Sequence, residues 1–328
     1  MRIAITGSIA TDHLMTYKGR FADSMVVDQL DKIALSFLVE DLEIRRGGVA
    51  ANIAFGMANL GQQPILVAAA GEDFVEYRSW LERHGVDCDS VHISETRHTA
   101  RFVCTTDEHM AQIATFYAGA MSEAREIELG PVAARVGGLD LVVIGSNDPE
   151  AMLRHTQECR TRKIPFAADP SQQLAFMDGE SIRELIDGAA FLFTNEYEAA
   201  LTEQKTGWNA EAIAERVQTR VITKGKDGAL ITTRGERPIE VKVANEVRKA
   251  DPTGVGDAFR AGFLTGMACG LGHERSAQIG SMLATYVVET IGTQEYELGR
   301  RRFLERFAEG YGDEARAEIE AHITCPRP

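Results

Sequence analysis

Residues 251–262 read D-P-T-G-V-G-D-A-F-R-A-G and run from a turn into an apolar helix. Gly254 and Gly256, with Val255 between them, free the backbone where that helix begins. A helix start presents unpaired N–H groups and a partial positive charge, which together suit an anion such as a phosphate. Asp257 falls in the first turn. The same dipole favours a carboxylate there, yet the carboxylate would repel a bound phosphate. Taking the proton of a hydroxyl as a phosphoryl group arrives is a role that fits it. The segment therefore reads as an anion hole and a base placed side by side, the pairing that phosphoryl transfer needs.

Other residues can be paired with that centre. Asp12 follows the first strand by a few residues, and ligands in parallel α/β folds gather beyond strand carboxyl ends. A carboxylate there can accept from two vicinal hydroxyls; a solvated or capping turn aspartate is the competing reading. Gly47 and Gly48 allow close approach to the backbone, and Asn52 shares a helix face with them. Helix initiation beside a surface asparagine explains the same residues. Asn195 and Glu198 are three apart on a helix, spaced to hold water around Mg²⁺ or simply to cap the helix. Phe102 and Phe116 read as facing aromatics that could sandwich a planar base, or as ordinary packing between strands. Gln172 and Gln173, after a D-P-S turn, can read ring nitrogens or sit in solvent.

Several chemistries are excluded. G-S-I-A-T-D after the first strand lacks the G-x-G-x-x-G spacing, and the chain has no G-x-x-x-x-G-K-[ST], no H-E-x-x-H and no G-x-S-x-G. T-K-G-K-D-G at 223–228 has the residues of a phosphate loop in the wrong order. The net charge of -14, from 35 basic and 49 acidic residues, argues against general nucleic-acid binding but leaves room for a local nucleotide site. Five isolated cysteines form no C-x-x-C pair and fit a reducing compartment. No export signal or membrane-spanning run stands out, so a cytoplasmic location is the expectation.

These residues need a scaffold. From residue 139 onward short apolar runs alternate with helical stretches: strands at 141–144, 165–168, 190–193, 221–223 and 229–232, helices at 150–162, 181–186, 209–217, 257–269, 274–290 and 300–309. That rhythm predicts an α/β fold with a mainly parallel sheet. Residues 13–46, with their apolar run at 33–39, and 97–118, with a hairpin around D-E-H, predict a small β lid. The remaining segments, 1–12, 47–96 and 119–328, form the large domain, and the final C-P-R-P is expected to fray.

At this point the chain resembles the PfkB, or ribokinase-like, family. D-P-T-G-V-G-D-A-F-R-A-G-F matches its C-terminal signature and R-G-G-V-A-A-N-I-A-F-G-M-A-N-L-G at 46–61 its N-terminal one. More narrowly it looks like the adenosine kinases of mycobacterial type, through G-S-I-A-T-D-H-L-M, L-S-F-L-V, N-D-P-E-A-M, A-A-D-P-S-Q-Q-L and G-T-Q-E. The resemblance implies a three-layer α/β/α domain and transfer of the ATP γ-phosphoryl group to the 5′-hydroxyl of adenosine. A sugar kinase or a broader purine nucleoside kinase is the alternative. It implies Asp257 as base and the backbone at 254–257 as anion hole. Ser8, Asp12, Ser36, Gly48 and Asn52 would hold ribose, with Phe102, Phe116, Gln172 and Gln173 around the base. Asn195, Thr223, Lys224, Gly225, Lys226, Asp227, Gly228 and Gly256 would face ATP. Asn195 and Glu198 would organise Mg²⁺ through water, and a monovalent cation such as K⁺ stays open. Pairing of two lids would give a homodimer. Arg260 departs from the small residue common at its place in sugar kinases, and its role is open.

Overall fold

The computed structural model describes residues 1–24 and 35–325. Its strands are β1 (Ile3–Thr6), β2 (Ala10–Tyr17), β3 (Asp41–Gly47), β4 (Ile65–Val67), β5 (Ala69–Gly71), β6 (His92–Ser94), β7 (Ala100–Asp107), β8 (Gln112–Tyr117), β9 (Leu141–Ile144), β10 (Phe166–Ala168), β11 (Phe191–Asn195), β12 (Thr219–Thr223), β13 (Ala229–Thr233) and β14 (Ile239–Val241). Its helices are α1 (Phe21–Ser24), α2 (Val49–Asn59), α3 (Val75–Arg83), α4 (Leu129–Val136), α5 (Pro149–Arg162), α6 (Gly179–Ile186), α7 (Glu196–Thr206), α8 (Ala210–Ala214), α9 (Val255–Ala268), α10 (His273–Val288), α11 (Arg300–Tyr311) and α12 (Asp313–Glu320).

Runs such as I-A-I-T and L-V-V-I are buried at every position, the signature of strands covered on both faces. They join a main sheet ordered β14-β13-β12-β11-β10-β9-β1-β4. It is parallel from β12 to β4; β13 and β14 add an antiparallel edge. Alternate side chains feed two cores. Ile3, Ile5 and Val143 pack with α2, α9, α10 and α11, while Ala4, Val142 and Ile144 pack with α4, α5 and α6. This is the mainly parallel sheet that the alternating pattern predicts, in the three-layer α/β/α arrangement that the family resemblance implies.

A second sheet, ordered β3-β2-β7-β8, forms the lid. The aromatic rings of Tyr17, Phe21 and Phe37 cluster at its tip. The lid differs from the sequence reading in two ways. Asp12 lies inside β2 rather than in a turn after β1, because β2 starts at Ala10. Residues 35–39 carry no strand, and the rest of the expected strand region, 25–34, lies outside the described residues, as do the last three residues of the C-P-R-P tail. Periodicity also misses β6, β14, α4 and α12, elements of three to eight residues that are too short to show a clear period.

Small residues let the central helices touch. A Cβ on Gly262 would stand 2.6 Å from Cα of Gly280, and one on Gly56 would stand 2.7 Å from Cβ of Ala261. The last glycine of D-A-F-R-A-G therefore serves the α9–α10 crossing. That crossing holds the N-terminus of α9 in place. Gly262→Ala is expected to lower stability by about 1–3 kcal/mol through overpacking. Chemical denaturation reads this directly, and an unchanged midpoint would show that the helices can separate without cost.

Candidate functional site

A cavity of about 750 Å³ opens where β1, β9, β10, β11 and β12 end, with the lid on its other side. Ligands in open α/β sheets bind at such carboxyl ends. Its wall includes Ser8, Asp12, Gly48, Asn52, Phe102, Phe116, Gln172, Gln173, Asn195, Glu198, Thr223, Gly225, Gly254, Gly256 and Asp257. Val255, Lys224, Lys226, Asp227 and Gly228 lie outside that wall; Lys226 and Asp227 are exposed, and Gly228 makes the tight turn into β13 at φ 92°. Ser36 is exposed and away from the cavity.

The helix start behaves as its sequence suggests. Gly254 caps α9 at φ 75°, a left-handed backbone that disfavours a side chain, and no side chain caps the helix. The first intrahelical bond runs from Ala258 N to Gly254 O. The amides of Gly256 and Asp257 precede it and have no backbone partner among the described residues, and both residues line the cavity. Asp257 is enclosed by protein except towards the cavity. Burial pushes its carboxyl up from 3.8 to about 6, although Arg260 and the Asn52 amide pull the other way.

Asn52 is not free to serve only a ligand. Its Nδ2 donates to Asp257 Oδ2 at 2.9 Å, and its Oδ1 accepts from Gln294 Nε2 at 2.9 Å and lies 3.0 Å from the Thr293 hydroxyl. Trp80 Nε1 donates to Gln294 Oε1 at 3.2 Å. An indole nitrogen can only donate, so it orients the Gln294 amide, which orients Asn52, which turns an N–H towards Asp257. Sequence reasoning misses Trp80, Thr293 and Gln294; the G-T-Q-E string enters it only as part of a likeness, with no signal of contact.

Gly48 and Ser8 build the turn beneath the lid. A Cβ on Gly48 would stand 2.6 Å from both Ser8 O and Ala10 N, and its φ is 96°. Ser8 Oγ accepts from Val49 N at 3.0 Å and so starts α2. On the lid, one cross-strand row reads Arg45, Asp12, Phe102, Phe116. Residues directly opposite one another share a face, so Phe102 and Phe116 lie side by side. The reading of two rings facing each other across a slot is thus corrected: they form one apolar floor. Asp12 shares that face, and burial raises its carboxyl to about 6 against the pull of Arg45, with Glu295 and Asp251 pushing further up. Gln173 Nε2 donates to Asn147 O at 2.7 Å, leaving its carbonyl as the group without a partner in the protein, while Gln172 is exposed.

Asn195 and Glu198 form a reciprocal capping box at α7: Glu198 N donates to Asn195 Oδ1 and Asn195 N to Glu198 Oε2, both at 2.8 Å. Both also line the cavity. Among the described residues no three His, Cys, Asp or Glu side chains cluster as a metal cage. Two oxygen-bearing side chains at the cavity wall fit Mg²⁺, which keeps most of its water and is shared with phosphates.

Comparison with known proteins was informative. The profile described as pfkB family carbohydrate kinase matches residues 12–298. A nucleoside kinase of Methanocaldococcus jannaschii is 31% identical over 250 residues, spanning 76% of this chain and 80% of the relative. The structure of Burkholderia thailandensis nucleoside kinase in complex with inosine superposes with a TM-score of 0.82 at 32% identity, covering 94% of this chain and 99% of that one. The same enzyme in complex with ADP-inosine gives 0.80 at 33% identity, over 94% and 96%. These relatives are named nucleoside kinases, a broader class than the adenosine kinases of the narrower sequence likeness.

The raised Asp257 carboxyl has a stability consequence. Between about pH 4 and 6 the native form keeps a proton that the unfolded chain has released, so stability falls as pH rises through that window. Asp257→Asn removes this penalty. At pH 7.5 the variant is expected to be more stable than the parent by about 1–2 kcal/mol, with cavity water softening the effect, and equally stable near pH 4. Urea denaturation at three pH values measures the gap; a gap that does not change with pH would contradict a buried, ionised Asp257.

Proposed function

The chain belongs to the pfkB family and is an ATP-dependent kinase of the ribokinase superfamily, and from that premise we propose that it phosphorylates purine nucleosides on the 5′-hydroxyl. The observation that carries this is the row Asp12, Phe102, Phe116 on the cavity face of the lid. It sets a hydroxyl-binding carboxylate beside an aromatic floor wide enough for a base. A sugar would engage the first and leave the second bare. The inosine complex of the Burkholderia relative supports a purine acceptor. Adenosine, giving AMP and ADP, is one such acceptor.

Each residue then has a task. Asp12 accepts hydrogen bonds from the ribose diol; these replace the water that burial removed from its carboxylate. The base stacks on Phe102 and Phe116, and Gln173 offers a carbonyl to an N–H at the purine edge. Asp257 takes the 5′-hydroxyl proton, held in line by the Asn52 amide. The free amides of Gly256 and Asp257 receive charge on the phosphoryl oxygens. ATP lies towards Thr223 and Gly225. Mg²⁺ bound with it supplies charge neutralisation, and Asn195 and Glu198 would hold its water. Half-buried Lys224 and exposed Lys226 and Asp227 follow Thr223 at that end of the cavity, and Gly228 is the buried turn beyond them.

The lid also supports self-association. Its outer face exposes Leu42, Ile44, Ile113 and Tyr117, and β3 and β8 are its edge strands among the described residues. A homodimer through this face would be lost in Ile44→Lys, as sedimentation would show.

Mg-ATP turnover with adenosine, inosine, guanosine, ribose and fructose, with product identification, tests the acceptor. Nucleoside 5′-monophosphates are the expected products, and preferential sugar phosphates would overturn the purine reading. Asp12→Asn is expected to raise KM for the nucleoside by about 10–100-fold, the loss of charge-assisted hydrogen bonds. Asp257→Asn is expected to lower kcat by about 10²–10⁴-fold with nucleoside binding retained.

A further inference from the structure

Arg260 lies one turn along α9 from Asp257, and residues three apart share a helix face. Its side chain is only 7% exposed, yet it lines the cavity. One edge of the guanidinium is held by protein. Nε stands 2.6 Å from Asp169 Oδ2, out of line for a good hydrogen bond, and Nη2 lies 3.4 Å from Ser171 Oγ and 3.9 Å from Glu198 Oε2. Ser171 Oγ in turn donates to Asp169 Oδ1 at 2.9 Å. The other edge is differently placed. Nη1 lies 2.7 Å from where a Cβ on Gly256 would stand, and makes no hydrogen bond among the described residues. It therefore lies beside Gly256, in the first turn of α9.

Charge gives the placement a purpose. Among the described residues the cavity wall carries the carboxylates Asp12, Glu198, Asp251 and Asp257, and two basic side chains, Arg45 and Arg260. Arg45 is on the lid, with its guanidinium paired to Glu43 through two nitrogens. A polyphosphate entering at Gly256 would meet Asp257 and Glu198 with one fixed cation between them. As a counterion for buried Asp169 alone, Arg260 would need only its Nε edge. The position of Nη1, and the absence of a side chain at 256 that makes room for it, exceed that need.

We propose that Arg260 is a further catalytic residue, whose Nη1 donates to the oxygens of the phosphoryl group during transfer, while Asp169 and Ser171 fix the opposite edge of the guanidinium. The bond from phosphorus to the ADP oxygen breaks, the bond to the acceptor oxygen forms, and the acceptor proton passes to Asp257. Arg260 stays protonated throughout and supplies charge where it develops. This rests on phosphoryl transfer at the Gly256 amides, not on the identity of the acceptor.

The test compares Arg260→Gln and Arg260→Lys with the parent, using whichever acceptor of the panel the parent phosphorylates. A wrong purine assignment would then show in the parent, and a wrong assignment of Arg260 only in the variants. Arg260→Gln is expected to lose about 10²–10³-fold in kcat, the size of one lost transition-state donor. Arg260→Lys keeps the buried charge for folding but lacks the fork, and is expected to lose at least tenfold. In both, the acceptor dissociation constant measured without ATP should stay within threefold. The tightening of Mg-ADP binding by aluminium fluoride in the presence of acceptor should disappear, with Mg-ADP affinity alone little changed. Retained fluoride tightening, or a kcat in Arg260→Lys within threefold of the parent, would reduce Arg260 to a counterion of Asp169. Should Arg260→Gln fail to fold, the lysine variant alone decides between these outcomes.

Discussion

One hydrogen bond ties the site together: Asn52 Nδ2 to Asp257 Oδ2, at 2.9 Å between residues 205 positions apart. It joins α2, which starts at the turn beneath the lid, to α9, which carries Asp257 and the free amides. The bond has a fixed sense because the Trp80 indole can only donate, and that polarity passes through Gln294 to Asn52. Tyr77 donates to Gly47 O at 2.9 Å, and the Arg46 guanidinium stacks 4.3 Å over Trp80. The Gly47 turn and Asp257 are thus tied to the same face of α3. A polar chain that is fully paired can specify a single geometry in a low-dielectric interior, where a broken one would be costly.

The surrounding packing serves the same end. Gly262 and Gly280 bring α9 and α10 to backbone contact, and Gly56 makes room for the Ala261 methyl between α2 and α9, which restrains the start of α9. Gly48 and Gly254 adopt left-handed backbones at the two ends of the hinge-to-base path. Rigid elements hold a reactive constellation better than loops do.

Electrostatically the cavity is poised rather than neutral. Asp12 and Asp257 are both raised to about 6 by burial, each partly restrained by a nearby arginine. Near neutral pH both are mostly ionised and short of water, so each gains from a hydroxyl donor that the solvent no longer provides. Burial therefore makes the same two carboxylates costly to the fold and receptive to a polyol. Such a trade between stability and function is expected where a ligand completes the site.

Much of the architecture was legible in the chain. The buried runs of β1, β9 and β11 and the helices between them carry their own periodicity, and the glycines and aspartate at 254–257 announce a helix start open to an anion. Local chemistry suffices for such features. The lid was legible as β structure but not in register. Placing Asp12, Phe102 and Phe116 in one row requires knowing that β2 pairs parallel with β7, a contact some ninety residues apart, and the same register turned the supposed aromatic slot into a floor. Asn195 and Glu198 form the capping box that one sequence reading expected and also stand in the cavity wall, while the Mg²⁺ reading is a proposal. Trp80, Gln294, Thr293 and the Asp169–Arg260 pair had no local signal, since a polar side chain reads as a surface residue until its partner is known. The sequence by itself determined the fold class and the reactive helix terminus, because backbone propensity and hydrophobic spacing are local. Only the tertiary structure decided which side chains meet there, because hydrogen-bond direction and charge balance are properties of neighbours that chain order does not reveal.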